Sequence, residues 1–381
     1  MSKIIKQTTF NDNDAGLGYM LYVVLSVLVL MGARFLIRMG VAYTDVFYYI
    51  YAFLVEAIFA VAVWIVCSIK NKNLVKASGL NKKVSVPIVV LCAAISLICL
   101  FGLGRLSDYF SEILGALGYQ SSGSGVNVKN IGDLFIYTIL VAILPAICEE
   151  LLFRGLILRG LVKYGKNLAI YFSAFAFMIM HGSPDQTVHQ FILGVIFGYI
   201  VYYTGNLWIT IIIHFCNNFF VLVATFIVNL MQQPASAGSA GSSVAGASST
   251  LSIIFSYIIS VAIIAISVYL VVVSIKRLVV INHNINNSPN YLTNEDLKPF
   301  KIEKVESNEQ ELENANFEIE EEANTSGGVV VEKLGDNGAI PPILNKRKNE
   351  KIGLLTTLMF TITTIYLAVE WILALVGGFG G

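Results

Sequence analysis

Residues 132–153 read GDLFIYTILVAILPAICEELLF, an apolar stretch that ends next to two adjacent carboxylates. A helix of this length crosses the ~30 Å of hydrocarbon in a bilayer, for which about 20 residues are required. The stretch shows no alternation of apolar and polar residues, so it does not fit a strand of an outer-membrane barrel. It therefore predicts a transmembrane helix that carries acidic side chains close to one end.

Apolar stretches of this kind recur along the whole chain. Scanning at membrane-spanning length predicts helices at 17–37, 46–68, 85–104, 132–153, 168–181, 188–204, 206–230, 251–275 and 353–377. The fifth and sixth of these are short for a full crossing. We predict an all-α polytopic membrane protein with about eight or nine transmembrane helices and a soluble acidic segment before the last helix.

The composition excludes several other classes of protein. Hydrophobic residues make up 56% of the chain and charged residues only 13%, whereas a soluble domain carries about 25% charged residues. The chain therefore cannot cover a globule of its size with a polar surface. Its 25 basic and 25 acidic residues cancel, so it lacks the basic excess of a nucleic-acid-binding module. The expected partner is the lipid bilayer, and no nucleic acid is expected.

Lysine and arginine predict the orientation of the helices, because these residues concentrate in cytoplasmic loops. The loop between the second and third predicted helices contains Lys70, Lys72, Lys76, Lys82 and Lys83. More basic residues follow the fourth and eighth predicted helices, and only Arg34 and Arg38 depart from the pattern. The pattern predicts a cytoplasmic amino terminus. The polar segments, rich in Lys, Asn and Ile, favour a bacterial plasma membrane.

Two polar segments interrupt the apolar pattern. Residues 232–250 are small and uncharged, which predicts a flexible external loop. Residues 281–351 contain a block of glutamates, which is typical of a disordered or solvated segment. We divide the chain into N-terminal transmembrane helices (1–131), a helical core (132–230), an external loop with the following helix (231–280), a cytoplasmic acidic, disordered segment (281–351) and a C-terminal transmembrane helix (352–381).

Ionisable residues inside apolar helices are costly and usually functional, and the helical core contains several. Glu149 and Glu150 are adjacent and would repel each other at hydrocarbon depth. Arg154 follows Glu150 by four residues, so the two share a helix face and can pair, while Glu149 points about 100° away. One carboxylate would then be neutralised and the other left available as a general base. Alternatively, both are ordinary charges at a helix end.

Three of the four histidines lie close to this acidic pair in the sequence. His181 ends the fifth predicted helix, and a four-residue spacing places His214 and Asn218 on one face of the seventh. A single buried histidine is more often a core residue than a catalyst, but two histidines, a free glutamate and an asparagine favour a catalytic site. Gly194 and Gly198 form a GxxxG motif, which allows membrane helices to approach closely.

Four motifs in this order resemble those of the CPBP family, which contains the type II CAAX prenyl endopeptidases and bacterial relatives called Abi or lysostaphin-resistance-like proteins. The motifs are Glu-Glu-xxx-Arg at 149–154, Phe-xxx-His at 177–181, Phe-xx-Gly-xxx-Gly at 191–198 and His-xxx-Asn at 214–218. The resemblance covers roughly 131–230, and the part of the chain after 281 has no counterpart in it. It implies that the helical core is the catalytic part of an intramembrane endopeptidase with a peptide or protein substrate.

The resemblance also implies roles for the motif residues. The implied catalytic residues are Glu149, His181, His214 and Asn218, and the implied supporting residues are Glu150, Arg154, Gly194 and Gly198. Glu149 and His181 would hold and activate a water. His214 and Asn218 would stabilise the oxyanion of the scissile carbonyl. The Glu–Arg pair would brace the base, and the glycines would pack the helix between the two histidines.

The resemblance leaves the use of a metal open. The family is named as metalloproteases, and two histidines with a glutamate can bind zinc. The chain contains no HExxH motif, and Asn218 is a poor zinc ligand but a good oxyanion donor. We therefore prefer a glutamate-activated water that requires no cofactor. Zinc bound by Glu149, His181 and His214 is the second choice.

Two other functions are open on the sequence alone. One is a binding or bacteriocin-immunity protein that uses the same pocket without proteolysis. The other is a proton-coupled transporter, which the absence of an internal duplication disfavours. Glu56 and Glu370 also lie inside predicted helices. They either line a proton or substrate pathway or pair with Ser, Thr, Tyr or Arg of another helix, and we prefer the second interpretation.

Overall fold

The computed structural model describes residues 9–121, 126–232, 250–286 and 352–379, and this part of the chain is helical without strands. Its long helices are α1 Asp12–Arg38, α2 Asp45–Ile69, α3 Val86–Ala116, α4 Ile131–Tyr164, α5 Lys166–Met180, α6 Thr187–Thr204, α7 Leu207–Gln232, α8 Thr250–Asn286 and α9 Leu354–Phe379. Within the described residues, 8 helices are long and apolar enough to cross a membrane, and α5 is shorter. The predicted all-α membrane fold is confirmed.

Two predicted segments lie largely beyond the described part of the chain. Of the external loop at 232–250, only the first and last residues are described, and they belong to α7 and α8. Of the acidic segment at 281–351, only 281–286 are described. These six positions are the last turns of α8, which continues past the predicted helix end at 275.

Three helices, α3, α4 and α8, extend well beyond their predicted carboxyl ends. Polar residues that follow the apolar stretches find partners inside the bundle. Arg159 in α4 donates from Nη2 to the backbone oxygen of Gly205 at 2.7 Å. Asn282 in α8 donates from Nδ2 to the backbone oxygen of Thr204 at 2.9 Å. Because these side chains form hydrogen bonds with residues outside their own helices, α4 and α8 continue beyond the point at which the hydropathy of the sequence falls.

The start of α1 is bound to the ends of α2 and α4. Lys72, just after α2, pairs with Asp14 at 3.1 Å, and both side chains are buried. Lys163, near the end of α4, pairs with Asp12 at 2.9 Å. Since the carboxyl ends of α2 and α4 meet the same turn of α1, these two helices run in the same direction.

The glycines of the GxxxG motif lie where α6 crosses α5. A Cβ atom at Gly194 would lie 2.8 Å from the Cα of Ala174, and one at Gly198 would lie 2.9 Å from the side chain of Ile170. Both distances are shorter than a van der Waals contact. The helix that carries His181 at its end is therefore held by a contact that leaves no room for a side chain.

We expect Gly194→Ala to lower the free energy of unfolding by about 1–3 kcal/mol, because the added methyl group meets the backbone of α5 and forces the helices apart. Gly115→Ala is the matched control, since a Cβ at this position in α3 meets nothing within 4 Å. That change should stabilise the protein by up to ~1 kcal/mol through helix propensity. Unfolding of the two purified variants in mixed detergent micelles gives both values. Equal stability of Gly194→Ala and wild type would contradict the close contact.

Candidate active site

A buried ion pair lies at the centre of the helical core. Arg154 donates from Nη1 to Oε1 of Glu150 at 2.5 Å, and both side chains have 0% exposure. The guanidinium carbon lies 4.2 Å from the ring centre of Phe177 and 5.1 Å from that of Phe197. Aromatic faces stabilise a cation that is removed from water. The pairing predicted from the four-residue spacing is present, and the phenylalanine of the Phe-xxx-His motif packs on its cation.

The backbone of α4 is wound more loosely on either side of the acidic pair. Residues Thr138–Ile143 and Leu151–Leu158 form π-helical turns around the α-helical segment Leu144–Glu150. Such turns are frequent at functional sites. The first of them also supplies a hydrogen-bond acceptor, because the backbone oxygen of Val141 accepts from Nδ2 of Asn218 at 2.9 Å.

His214 is oriented by the same carboxylate that binds the arginine. Its Nδ1 lies 3.3 Å from Oε1 of Glu150. A carboxylate that is ionised and paired with arginine accepts hydrogen bonds only, so Nδ1 of His214 carries a proton. The resemblance implied that Glu150 and Arg154 brace the base Glu149. In the structure the side chain of Glu150 contacts Arg154, His214 and Thr210.

Glu149 is the carboxylate without a cationic hydrogen-bond partner. Its side chain is 6% exposed, and its Oε2 lies 3.9 Å from Nε2 of His214. Among the described residues this oxygen has no hydrogen-bond partner. Buried polar atoms are nearly always bonded, so an exception requires an explanation. An oxygen that is kept free beside an oriented histidine is suited to bind a reacting group.

His181 lies just after the last residue of α5. Its Nδ1 lies 2.8 Å from the backbone oxygen of Phe177, and since a carbonyl only accepts, Nδ1 is the donor. The ring of Phe177 is 4.8 Å from the ring of His181 and 6.0 Å from the ring of His214. Both histidines therefore pack on one aromatic ring, and within the described residues His181 forms no ion pair with Glu149.

Asn218 is held at both ends of its amide. Its Nδ2 donates to Val141, and its Oδ1 accepts from Nδ2 of Asn217 at 3.3 Å. An amide nitrogen carries two hydrogens, so Asn218 retains one N–H for another acceptor. This arrangement is compatible with the oxyanion role that the resemblance implied.

Two residues of the site were missed by sequence reasoning. Asn217 is 5% exposed and orients Asn218. Thr210 is fully buried and lies against Glu150. Both lie on the helix face of His214, at spacings of three and four residues. That spacing was the signal that could have identified them.

The two acids outside the motifs differ in their surroundings. Glu370 lies beside Tyr366, one turn earlier in α9. Tyr366 lies on the same helix as Glu370, so the preferred pairing with another helix stays a prediction for this acid. For Glu56 the preferred pairing is wrong, because Oε2 of this residue is buried without a hydrogen-bond partner among the described residues.

Across the described ranges, no group of three or more His, Cys, Asp or Glu side chains could hold a metal ion. The trio proposed for zinc is Glu149, His181 and His214, and these side chains do not form a common coordination shell. Zinc binding by these residues and the preferred cofactor-free reaction both stay predictions.

Comparison with known proteins finds a family match over the central helices. Residues 131–220 match the family model of the Type II CAAX prenyl endopeptidase Rce1-like proteins. The matched range begins at the first residue of α4 and includes the four motifs. No curated protein and no solved structure matches the chain.

Proposed function

We propose that this protein hydrolyses peptide bonds within the membrane. The proposal is supported by the match of residues 131–220 to the family model of the Rce1-like type II CAAX prenyl endopeptidases. The family domain and the apolar helices make the chain a multi-pass membrane protein related to CAAX-type intramembrane proteases. The observation that supports the reaction is the unpartnered Oε2 of Glu149, 3.9 Å from Nε2 of His214. The proposed substrate is a membrane-associated peptide or protein.

Glu149 acts as the general base in this proposal. The distance of 3.9 Å to Nε2 of His214 is too long for a direct hydrogen bond, and it suits a water that contacts both groups. Glu149 takes a proton from this water while the water oxygen attacks the carbonyl carbon. His181 uses Nε2 as a second acceptor for the same water, since its Nδ1 is bound to Phe177.

His214 and Asn218 stabilise the oxyanion that the attack creates. Glu150 holds Nδ1 of His214 and stabilises the protonated ring, as the carboxylate of a Ser-His-Asp triad does, so that Nε2 can donate. Asn218 contributes its remaining N–H. The bond between the carbonyl carbon and the nitrogen then breaks, and the proton on Glu149 passes to the leaving nitrogen. Glu149 is thereby restored as the base.

The scissile bond lies near the cytoplasmic face in this proposal. Glu149 lies in the second half of α4, and Arg159 and Lys163 follow it towards the carboxyl end. Basic residues concentrate on the cytoplasmic side of membrane helices. The proposed enzyme is a bacterial plasma-membrane protein with a cytoplasmic amino terminus.

Cleavage of defined peptides by the purified full-length protein in liposomes tests this function. The probes are two peptides that end in a CAAX sequence, one farnesylated and one not. We expect cleavage of at least one probe, and a loss of about 10²–10³-fold in kcat/KM for His214→Ala and for Asn218→Ala, because each removes an oxyanion donor.

Asn229→Ala is the matched control for these variants. Asn229 lies three turns after Asn218 in α7, away from the motif residues. It donates from Nδ2 to the backbone oxygen of Val128 at 3.0 Å. This variant should cleave at the wild-type rate. Full activity of His214→Ala and Asn218→Ala would contradict the assigned roles, and no cleavage of either probe by wild type would contradict a CAAX-type substrate.

A further inference from the structure

The buried side chain of Asn217 has an oxygen that no group in the described part of the chain binds. Asn217 is 5% exposed, and its Nδ2 donates to Oδ1 of Asn218 at 3.3 Å. The other end of the amide, Oδ1, is buried and has no hydrogen-bond partner among the described residues. A buried acceptor without a donor costs free energy, and such groups are rare in folded proteins. This oxygen therefore marks a position where a donor from another molecule can bind.

Asn217 lies on the face of α7 that carries the proposed oxyanion donors. Successive residues of a helix are rotated by about 100°, so Asn217 lies about 60° from His214 on one side and Asn218 about 40° from it on the other. His214 in turn lies 3.9 Å, from its Nε2, to Oε2 of Glu149. The unbonded oxygen thus belongs to the same group of side chains as the proposed base and the proposed oxyanion donors.

This group of side chains offers a peptide an acceptor beside two donors. Asn218 has one N–H left for another acceptor, because Val141 binds only one hydrogen of its Nδ2. Nε2 of His214 is the second donor in the proposed reaction. Each peptide residue other than proline likewise carries one C=O acceptor and one N–H donor. One residue of a bound peptide can therefore supply both partners that the two asparagines lack.

The geometry of an extended peptide decides which N–H reaches Asn217. In a β-strand, a residue uses its own N–H and its own C=O on the same side of the strand. When the carbonyl of a residue points at His214 and Asn218, the N–H of that same residue points at the neighbouring asparagine. The N–H of the scissile bond belongs to the next residue and points the other way, because the peptide bond is trans.

We propose that Oδ1 of Asn217 accepts a hydrogen bond from the backbone N–H of the substrate residue whose carbonyl is attacked. Asn217 is then a substrate-binding residue, which aligns that carbonyl with the donors and with the water at Glu149. The contact is made to the backbone, so it selects an extended peptide and excludes proline at this position, which has no N–H. The inference rests on the proposed function, because the peptide is the substrate named there.

An amide-to-ester scan of the peptide tests this hydrogen bond. The probes are the farnesylated and unmodified CAAX peptides, in which an ester oxygen replaces each backbone N–H in turn. Dissociation constants are measured on full-length Glu149→Gln in liposomes, since this variant should bind peptide without cleaving it. One ester should bind about 10-fold more weakly than the parent amide, because it leaves the buried acceptor without a donor. Cleavage of the parent peptide by wild type should occur at the carbonyl of that same residue.

Two further variants, each combined with Glu149→Gln, identify the acceptor. Asn217→Leu replaces the amide by an apolar group of similar size, and it should bind the sensitive ester and the parent amide equally. Asn218→Leu is the matched control. It removes the neighbouring amide but keeps Oδ1 of Asn217, so the 10-fold preference for the amide should persist. The comparison separates the acceptor role of Asn217 from its hydrogen bond with Asn218.

The outcomes separate this inference from the proposed function. The inference is refuted if neither parent peptide binds, if every ester binds as tightly as its parent, or if the preference persists in Asn217→Leu. It is also refuted if wild type cuts at the carbonyl of a different residue. If the preference depends on Asn217 but wild type cleaves neither peptide, the proposed function fails and the peptide-binding contact stands. If Asn217→Leu does not fold, the scan on Glu149→Gln and the position of the cut decide.

Discussion

Glu149→Gln lowers the kcat/KM of peptide cleavage by about 10²–10⁴-fold, the contribution of a positioned general base. Glutamine has nearly the same shape as glutamate but cannot take a proton from water. The variant should fold as well as wild type or better, because the replaced carboxylate is buried and Oε2 has no hydrogen-bond partner among the described residues. Steady-state cleavage in liposomes, with unfolding in mixed micelles, measures both effects.

Glu370→Gln is the control for this prediction. It removes another acid from inside the membrane-spanning helices, but Glu370 lies in α9 beside Tyr366 and outside the matched domain. Its cleavage rate should equal that of wild type. If Glu149→Gln cleaves at the wild-type rate, Glu149 is not the base.

Arg154→Met produces the largest loss of stability, about 3–5 kcal/mol in the free energy of unfolding. Removing one partner of a buried ion pair leaves the other charge uncompensated. Glu150 has 0% exposure, so its carboxylate would gain no solvent contact. The methionine side chain can still pack between Phe177 and Phe197, which limits the effect of a cavity.

Two further variants isolate the charge in this experiment. The double variant Glu150→Gln with Arg154→Met removes both charges and should recover much of the lost free energy of unfolding. A double-mutant cycle with the two single variants measures the interaction energy of the pair. Arg105→Met removes an arginine that pairs with Asp108 at 3.6 Å but is 54% exposed, and it should cost at most ~1 kcal/mol. If Arg154→Met is as mild as Arg105→Met, the buried pair does not stabilise the fold.

Much of the site was predictable because its spacing is local. A four-residue interval places two side chains on one helix face whatever surrounds the helix, so the pair Glu150 and Arg154 could be identified from the sequence. The same rule holds for His214 and Asn218. The orientation of these groups relative to other helices could not be predicted, because it depends on distances between helices that are far apart in sequence.

The contacts of Glu150 illustrate this difference. The family resemblance implied that Glu150 braces the base Glu149. In the structure Glu150 is bonded to His214 of α7, 64 residues away. Likewise, α4 extends beyond its predicted end because Arg159 finds an acceptor in Gly205. A polar residue after an apolar run predicts a helix end only where no such partner is present.

The sequence by itself determined that this chain is a bundle of apolar membrane helices with acidic and histidine motifs in its core, because hydropathy and helical periodicity depend on neighbouring residues alone. Only the tertiary structure decided that Glu150 also binds His214 of α7 and that Oε2 of Glu149 lies 3.9 Å from Nε2 of the same histidine. In an apolar interior the proximity of charges governs their energy, and proximity is a property of helix packing.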